Sequence, residues 1–163
     1  MTRDLDAIIA ISQDGAIGLT GSPNGLPWSI REDLQHFKRV TNRRTLVMGR
    51  KTFEALPGIL PGRKHYVVTS GQPDFVHGDV TFSDHVPTDL ESPIVIGGPT
   101  LLRSLMPRLR TVYLTLIEND YPRANVRDRD LLNHLLQHST HTVLAELPVR
   151  PVTFLRLDMD EDA

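Results

Sequence analysis

Apolar and polar positions divide the chain into short segments of two kinds. Leu5–Ser12 (LDAIIAIS) is an unbroken apolar run of strand length, which predicts a strand buried on both faces. Thr45–Met48, Lys64–Thr69, Pro93–Ile96, Thr111–Ile117, Thr142–Leu147 and Val152–Leu157 read as further strands. Helical spacing appears between them. Over Ser29–Val40, Ile30, Leu34, Phe37 and Val40 fall on one stripe, with Ser29 and Glu32 at capping-box spacing. Arg50–Leu56 predicts a short helix stopped by Pro57-Gly58, and Thr100–Met106 one closed by Pro107. Asp128–His138 predicts a third, carrying Leu131, Leu132, Leu135 and Leu136. Gly71 to Ser92 is polar and poorly periodic, with room for a strand near Val80–Phe82 and a helix near Val86–Leu90. Strands alternating with helices predict an α/β fold of three layers. Its centre is a mixed, mostly parallel sheet of about eight strands flanked by helices, the last two strands pairing antiparallel.

One segment breaks this rhythm. Gln13 to Trp28 carries Gly15, Gly18, Gly21, Pro23, Gly25 and Pro27 and predicts no element. Structureless connections of such length are uncommon and are usually functional or disordered.

Composition narrows the picture by exclusion. The chain has 163 residues, which suits one domain over residues 1–163. The absence of cysteine rules out disulfides, thiolate metal sites and a cysteine nucleophile. With 18 Lys+Arg against 20 Asp+Glu, the net charge of −2 argues against nucleic-acid binding through bulk charge. No apolar run reaches the length of a membrane span or a secretory signal. The expectation is a cytoplasmic protein with a small-molecule substrate and neither nucleic-acid nor membrane partners. It is a monomer, since no large apolar stripe lacks a place in the sheet or its helices.

A few residues could carry chemistry. At roughly 100° per residue, Asp33 falls inside the apolar arc of its helix, while Arg31, Gln35 and Arg39 face away. A carboxylate aimed at a core or cleft is costly without a partner and has a raised pKa; its plainer role is to favour the helix dipole. Val47-Met48-Gly49-Arg50-Lys51-Thr52 places glycine at a strand end and two cations at the next helix start. Ile96-Gly97-Gly98-Pro99-Thr100 repeats the arrangement with paired glycines. Neither is a P-loop or a dinucleotide fingerprint, but two such turns suit a ligand with several phosphates. Arg63 is either a surface arginine or a fork for a carboxylate. Trp28 reads first as core packing, and Thr115 is a mid-strand hydroxyl that could face Asp33. His134, His138 and His141 have a metal-like spacing, but they flank the leucine stripe without a carboxylate cluster, and no metal site is assigned.

Taken in order, Ile17-Gly18, Leu26-Pro27-Trp28, Asp33-Leu34 with Phe37-Lys38, Val47 to Glu54, Leu60-Pro61-Gly62-Arg63-Lys64, Val95-Ile96-Gly97-Gly98 and Tyr113-Leu114-Thr115 resemble the dihydrofolate reductase family over residues 5–117. Each motif is short, and their order and spacing together are specific. The resemblance implies reduction of 7,8-dihydrofolate by NADPH, with hydride to C6 and a proton to N5. Asp33 matches the active-site carboxylate, Thr115 the threonine bonded to it, and Trp28 the tryptophan that orders a water nearby, with Leu26 beside it. Ile8, Ala10, Leu34, Phe37, Leu60 and Ile96 match the walls around the folate. Arg63 matches the arginine that grips the glutamate α-carboxylate. For the cofactor, Ala10, Ile17, Gly18 and Leu19 match nicotinamide contacts. Gly49, Arg50, Lys51, Thr52, Thr69 and Ser70 match the adenine-nucleotide half, and Ile96, Gly97, Gly98, Pro99, Thr100 and Leu101 the pyrophosphate turn, commonly joined by a cis peptide. Residues 13–28 match the loop that closes over the nicotinamide. Methotrexate and trimethoprim are implied as ligands.

The chain also departs from the family. The closing loop is longer by about three residues. Pro99, Thr100 and Leu102 replace the usual glycine, Arg or Gln, and aromatic, which weakens recognition of the cofactor 2′-phosphate and leaves it to Arg50 and Ser70. Asp120 to Val126 replaces the segment that normally braces the closing loop, which puts loop dynamics and turnover in question. Two alternatives stay open: a riboflavin-pathway aminouracil reductase of related fold, and a non-catalytic pterin- or nucleotide-binding protein.

Overall fold

In a computed structural model, which describes residues 2–71, 73–75, 77–148 and 150–163, the apolar run Leu5–Ser12 forms β1 at the centre of an eight-stranded sheet. The remaining strands of that sheet are β3 (Thr45–Gly49), β4 (Lys64–Val68), β5 (Val80–Ser83), β6 (Pro93–Gly97), β7 (Leu109–Ile117), β9 (Ser139–Glu146) and β10 (Val152–Met159). Their order is β5-β4-β3-β6-β1-β7-β10-β9. Every pairing from β5 to β7 is parallel, and β10 runs antiparallel to both β7 and β9. The unbroken apolar run of β1 thus reflects burial between two parallel neighbours and two covered faces.

Four helices cover the sheet: α1 (Arg31–Thr41), α2 (Arg50–Ala55), α3 (Pro99–Ser104) and α4 (Arg129–Gln137). On one face, Leu5, Ala7, Ile9 and Ile11 of β1 pack with Leu102 of α3 and Leu131, Leu132 and Leu135 of α4. On the other, Ile8 packs with Leu46, Met48, Val67 and Ile94, against Phe37 and Val40 of α1 and Phe53 of α2. The three layers follow from this alternation of side chains along β1.

The strand ends fix the site. β1 lies between β6 and β7; the chain passes from β1 to β3 on one side and from β6 to β7 on the other, so the order reverses beside β1, and the crevice at the carboxyl end of such a reversal is the usual ligand position in open α/β sheets.

Several elements differ from the sequence reading. α1 starts at Arg31 behind Ile30, and no side chain caps it, so Ser29 and Glu32 do not form a capping box. Leu34 is not buried with its stripe but 44% exposed, whereas His36 and Thr41 are the buried residues of α1. Residues 86–90 form no helix; Val86 is buried by itself, and its carbonyl accepts from Arg108 at 2.7 Å. Pro107 does not simply close α3; it sits in a 3-10 turn, Met106–Arg108, that feeds β7. Gln72 and Val76 of the polar stretch lie outside the described residues. No helix among the described residues is long and apolar enough to cross a membrane.

Leu114 of β7 is fully buried in the central core. Leu114→Ala should cost about 2–5 kcal/mol by lost transfer energy and the cavity left behind. Urea unfolding followed by circular dichroism checks this, and a change below about 1 kcal/mol would contradict the packing described.

Candidate active site

Asp33 lies in the first turn of α1 at the mouth of the crevice, where Thr115 Oγ1 donates a 2.8 Å hydrogen bond to its Oδ1. Thr115 is 1% exposed and is flanked in the sheet by Ala10 of β1 and Phe154 of β10. Burial raises the pKa of Asp33 above its ordinary 3.8, and the bond from Thr115, with the Trp28 indole nearby, offsets only part of that. Trp28 is buried, its ring edge-on to Tyr121 at 5.1 Å between centroids, and its Nε1 has no hydrogen-bond partner. An orphaned indole donor beside a carboxylate suits a bridging water. Leu26 packs on the same cluster as Trp28, with Ala10. Asp33, Thr115, Trp28 and Leu26 thus lie together, and Trp28 adds an unpartnered donor to its packing.

The apolar candidates also converge. Ile8 is buried in the cluster on which Phe37, Leu60, Ile96 and Tyr113 pack. The exposure of Leu34 leaves an apolar side chain free on α1, one residue from Asp33. Arg63 donates from its Nη1 to Thr41 Oγ1 at 3.1 Å and from its Nε to the Pro61 carbonyl at 3.0 Å. Burial lowers its pKa, yet it pairs with no carboxylate among the described residues. A half-buried guanidinium tethered by neutral groups keeps free donors for an anionic ligand.

Across the crevice, Gly49, Arg50, Lys51 and Thr52 join β3 to α2, and Thr69 and Ser70 follow β4. The Gly97–Gly98 bond is cis, with Gly97 at φ +138°, and Pro99, Thr100 and Leu101 begin α3. A φ of +138° favours glycine at Gly97, and an added Cβ would also crowd Thr52 Oγ1 at 3.3 Å where the two turns approach. Ile17 and Gly18 belong to a short strand, β2 (Ala16–Gly18), and Leu19 follows it, its N–H donating to the Gly25 carbonyl at 2.9 Å. Bare glycine backbone, hydroxyls and exposed cations at adjoining strand ends fit an extended dinucleotide.

A family model described as dihydrofolate reductase matches residues 4–129. The chain belongs to this family. It is 36% identical to "Dihydrofolate reductase type 9" of Escherichia coli over 127 residues, 70% of each chain. It is 36% identical to the dihydrofolate reductase of Bacillus subtilis (strain 168) over 108 residues, 63% of this chain and 64% of that one. A solved structure, "Dihydrofolate reductase from Enterococcus faecalis complexed with NADP(H)and RAB-propyl", superimposes with a TM-score of 0.71 at 26% identity, covering 97% of this chain and 98% of that one.

Within this family frame, the altered segment Asp120 to Val126 still braces the Gly-rich loop, together with Asp14 and Arg127, which the sequence did not single out. β8 (Val126–Arg127) pairs antiparallel with β2. Asn125 Oδ1 accepts from the Thr20 N–H at 2.9 Å, and Gln13 Nε2 donates to Asp120 Oδ1 at 2.8 Å. Asp14 accepts from Ser12 Oγ, from the Tyr121 N–H at 2.9 Å and from Arg127 Nη1 at 3.2 Å. At Gly15, φ is +82° and an added Cβ would come within 2.8 Å of the Arg129 nitrogen, so this contact also demands glycine. Polar residues in loops give no periodic signal, which is why sequence inspection passed over Asp14 and Arg127 and noted Asn125 only as part of a replaced segment.

Burial opposes the charge on Asp14, but the bonds from Ser12, Tyr121 and Arg127 outweigh it and bring its pKa from 3.8 to about 2. A depressed carboxylate pKa stabilises the fold above the unfolded value, and that contribution fades as pH falls through the folded one. Asp14→Asn should therefore lower the urea midpoint above pH 3.8, with the gap to the parent narrowing toward pH 2. Unfolding curves at a series of pH values measure this; a gap that does not depend on pH would show that the charge is not what holds the loop.

Proposed function

We infer how this chain carries out its family's reaction, the NADPH-dependent reduction of 7,8-dihydrofolate to tetrahydrofolate, and the observation that carries the inference is the buried Asp33–Thr115 pair. The pterin ring lies in the crevice between α1 and the ends of β1 and β7, with its guanidine-like edge on the Asp33 carboxylate. Ile8, Leu34, Phe37, Leu60 and Ile96 enclose the ring and the aminobenzoyl group. Arg63 offers its free guanidinium donors to the glutamate α-carboxylate of the substrate. Methotrexate and trimethoprim occupy the same pterin pocket.

Arg50, Lys51, Thr52, Thr69 and Ser70 hold the adenine-nucleotide half of the cofactor, Gly97 to Leu101 its pyrophosphate, and Ala10, Ile17, Gly18 and Leu19 the nicotinamide. Bound NADPH supplies the hydride that C6 accepts. The protein's part is to align the two rings, to exclude water with the 13–28 loop, and to bring a proton to N5. A weakly basic nitrogen needs a proton source whose pKa is near the working pH. Desolvation moves Asp33 in that direction, and the unpartnered Trp28 Nε1 fixes a water between carboxylate and ring. Thr115 holds the carboxylate's other oxygen in place. We take residues 1–163 to work as one domain, and as a cytoplasmic monomer.

Two substitutions test this reading. Asp33→Asn should reduce kcat/KM at pH 7 by about a hundredfold or more, the range of general acid–base contributions, and by less at acidic pH, where solvent supplies the proton. A raised carboxyl pKa also means that the ionised form costs stability once pH exceeds it, so the same variant should unfold at a higher temperature at pH 7. An unchanged rate at pH 7 would remove Asp33 from the mechanism. Arg63→Leu should raise KM for dihydrofolate by about tenfold or more, the value of a charge-assisted bond, with little effect on KM for NADPH. Equal effects on both would move Arg63 out of the glutamate site.

A further inference from the structure

Three neighbouring parallel strands end at the same level. Gly49 of β3 pairs with Val68 of β4, and Val68 pairs with Ser83 of β5. The residues that follow, Arg50, Thr69 and Asp84, therefore stand side by side along the sheet end. With strands about 4.8 Å apart, Arg50 and Asp84 are separated by about 10 Å, with Thr69 and Ser70 between them. A cavity of about 300 Å³ opens at this place, lined by Thr69, Ser70, Gly71, Phe82, Ser83 and Asp84. Its lining holds a carboxylate and no cation among the described residues. His85 Nδ1 lies 2.9 Å from Asp84 Oδ1, and this hydrogen bond holds the carboxyl below its ordinary pKa, so Asp84 is charged at neutral pH. Arg50 leans along α2 toward Glu54, at 3.5 Å.

The two nicotinamide cofactors differ only at the adenosine ribose. A free 2′-hydroxyl is a donor that suits a carboxylate, and a 2′-phosphate is an anion that suits a guanidinium. Here the carboxylate of Asp84 lines the pocket, and the guanidinium of Arg50 belongs to the neighbouring strand end, outside that lining. We propose that Asp84 is a cofactor-specificity residue which holds down the preference for the 2′-phosphate, so that the chain uses NADH alongside NADPH. This rests on the reading of Arg50, Thr69 and Ser70 as the adenine-nucleotide site. Thr100, where the family often has Arg or Gln, adds no cation to offset the carboxylate.

The test separates the pocket from the reaction. Calorimetric titration with 2′,5′-ADP and with 5′-AMP reads the ribose site alone, in the parent chain, in Asp84→Ser and in Arg50→Gln. Steady-state kcat/KM with NADPH and with NADH is measured beside it. In Asp84→Ser the preference for 2′,5′-ADP over 5′-AMP should rise about tenfold, the scale of a like-charge pair at an exposed site. The NADPH:NADH ratio should rise with it, through KM and not kcat. Arg50→Gln should move both ratios the opposite way. Ratios that stay within twofold in Asp84→Ser would overturn the proposal, as would failure of either nucleotide to bind. Nucleotide preferences that follow the expected pattern without turnover of dihydrofolate would keep the proposal and overturn the reaction. Turnover of dihydrofolate with ratios that ignore Asp84 would do the reverse.

Discussion

Burying a carboxylate in an apolar cleft is unfavourable unless donors surround it, and much of this structure can be understood as the means of keeping Asp33 there. α1 presents it from its first turn, where the peptide dipoles also favour a negative charge. Thr115 reaches it from a strand that is paired on both sides over its length, so the donor cannot drift. Trp28 closes the remaining side with an apolar ring that carries one polar atom. Each of these contacts comes from a different element. The site therefore exists only when β1, β7 and α1 are assembled together, and the pKa of its acid is a property of the whole sheet rather than of a local motif.

The sheet was legible because its strands obey a simple rule. A parallel strand covered on both faces is mostly apolar, and Leu5–Ser12 is predicted to the residue, its buried Asp6 paired with Arg44. The start of α1 was harder to read. Serine and glutamate at capping spacing are a local preference, and here the chain turns into the helix one residue later, with the Ile30 backbone alone in the capping position. The angular position of Asp33 was read correctly, but the same wheel placed Leu34 inward. The helix packs with His36 toward Phe154, at 4.6 Å between ring centroids, and Leu34 is left exposed. Periodicity identifies an apolar face but not whether protein or ligand is to cover it.

The segment after β7 shows a different limit. Measured against the family's pattern it looks damaged, since the usual residues are missing. In the folded chain the connection is rebuilt from other polar partners: Asn125 for the Thr20 amide, and Asp14 with Arg127 and Tyr121 at the root of the loop. Hydrogen bonds between loops depend on donors and acceptors meeting in space, and several residue choices meet the same need. A motif comparison registers only the loss.

Trp28 is the chain's single tryptophan, and it sits between the Gly-rich loop and the buried carboxylate of Asp33, its ring against Tyr121. The intrinsic fluorescence of the unmodified protein therefore comes mainly from one known point in the crevice. A ligand beside Asp33, or a change of charge on it, would alter the surroundings of the same indole. The molecule thus carries its own optical reporter beside the Asp33–Thr115 pair, needing no added label and having no second indole to confuse the signal.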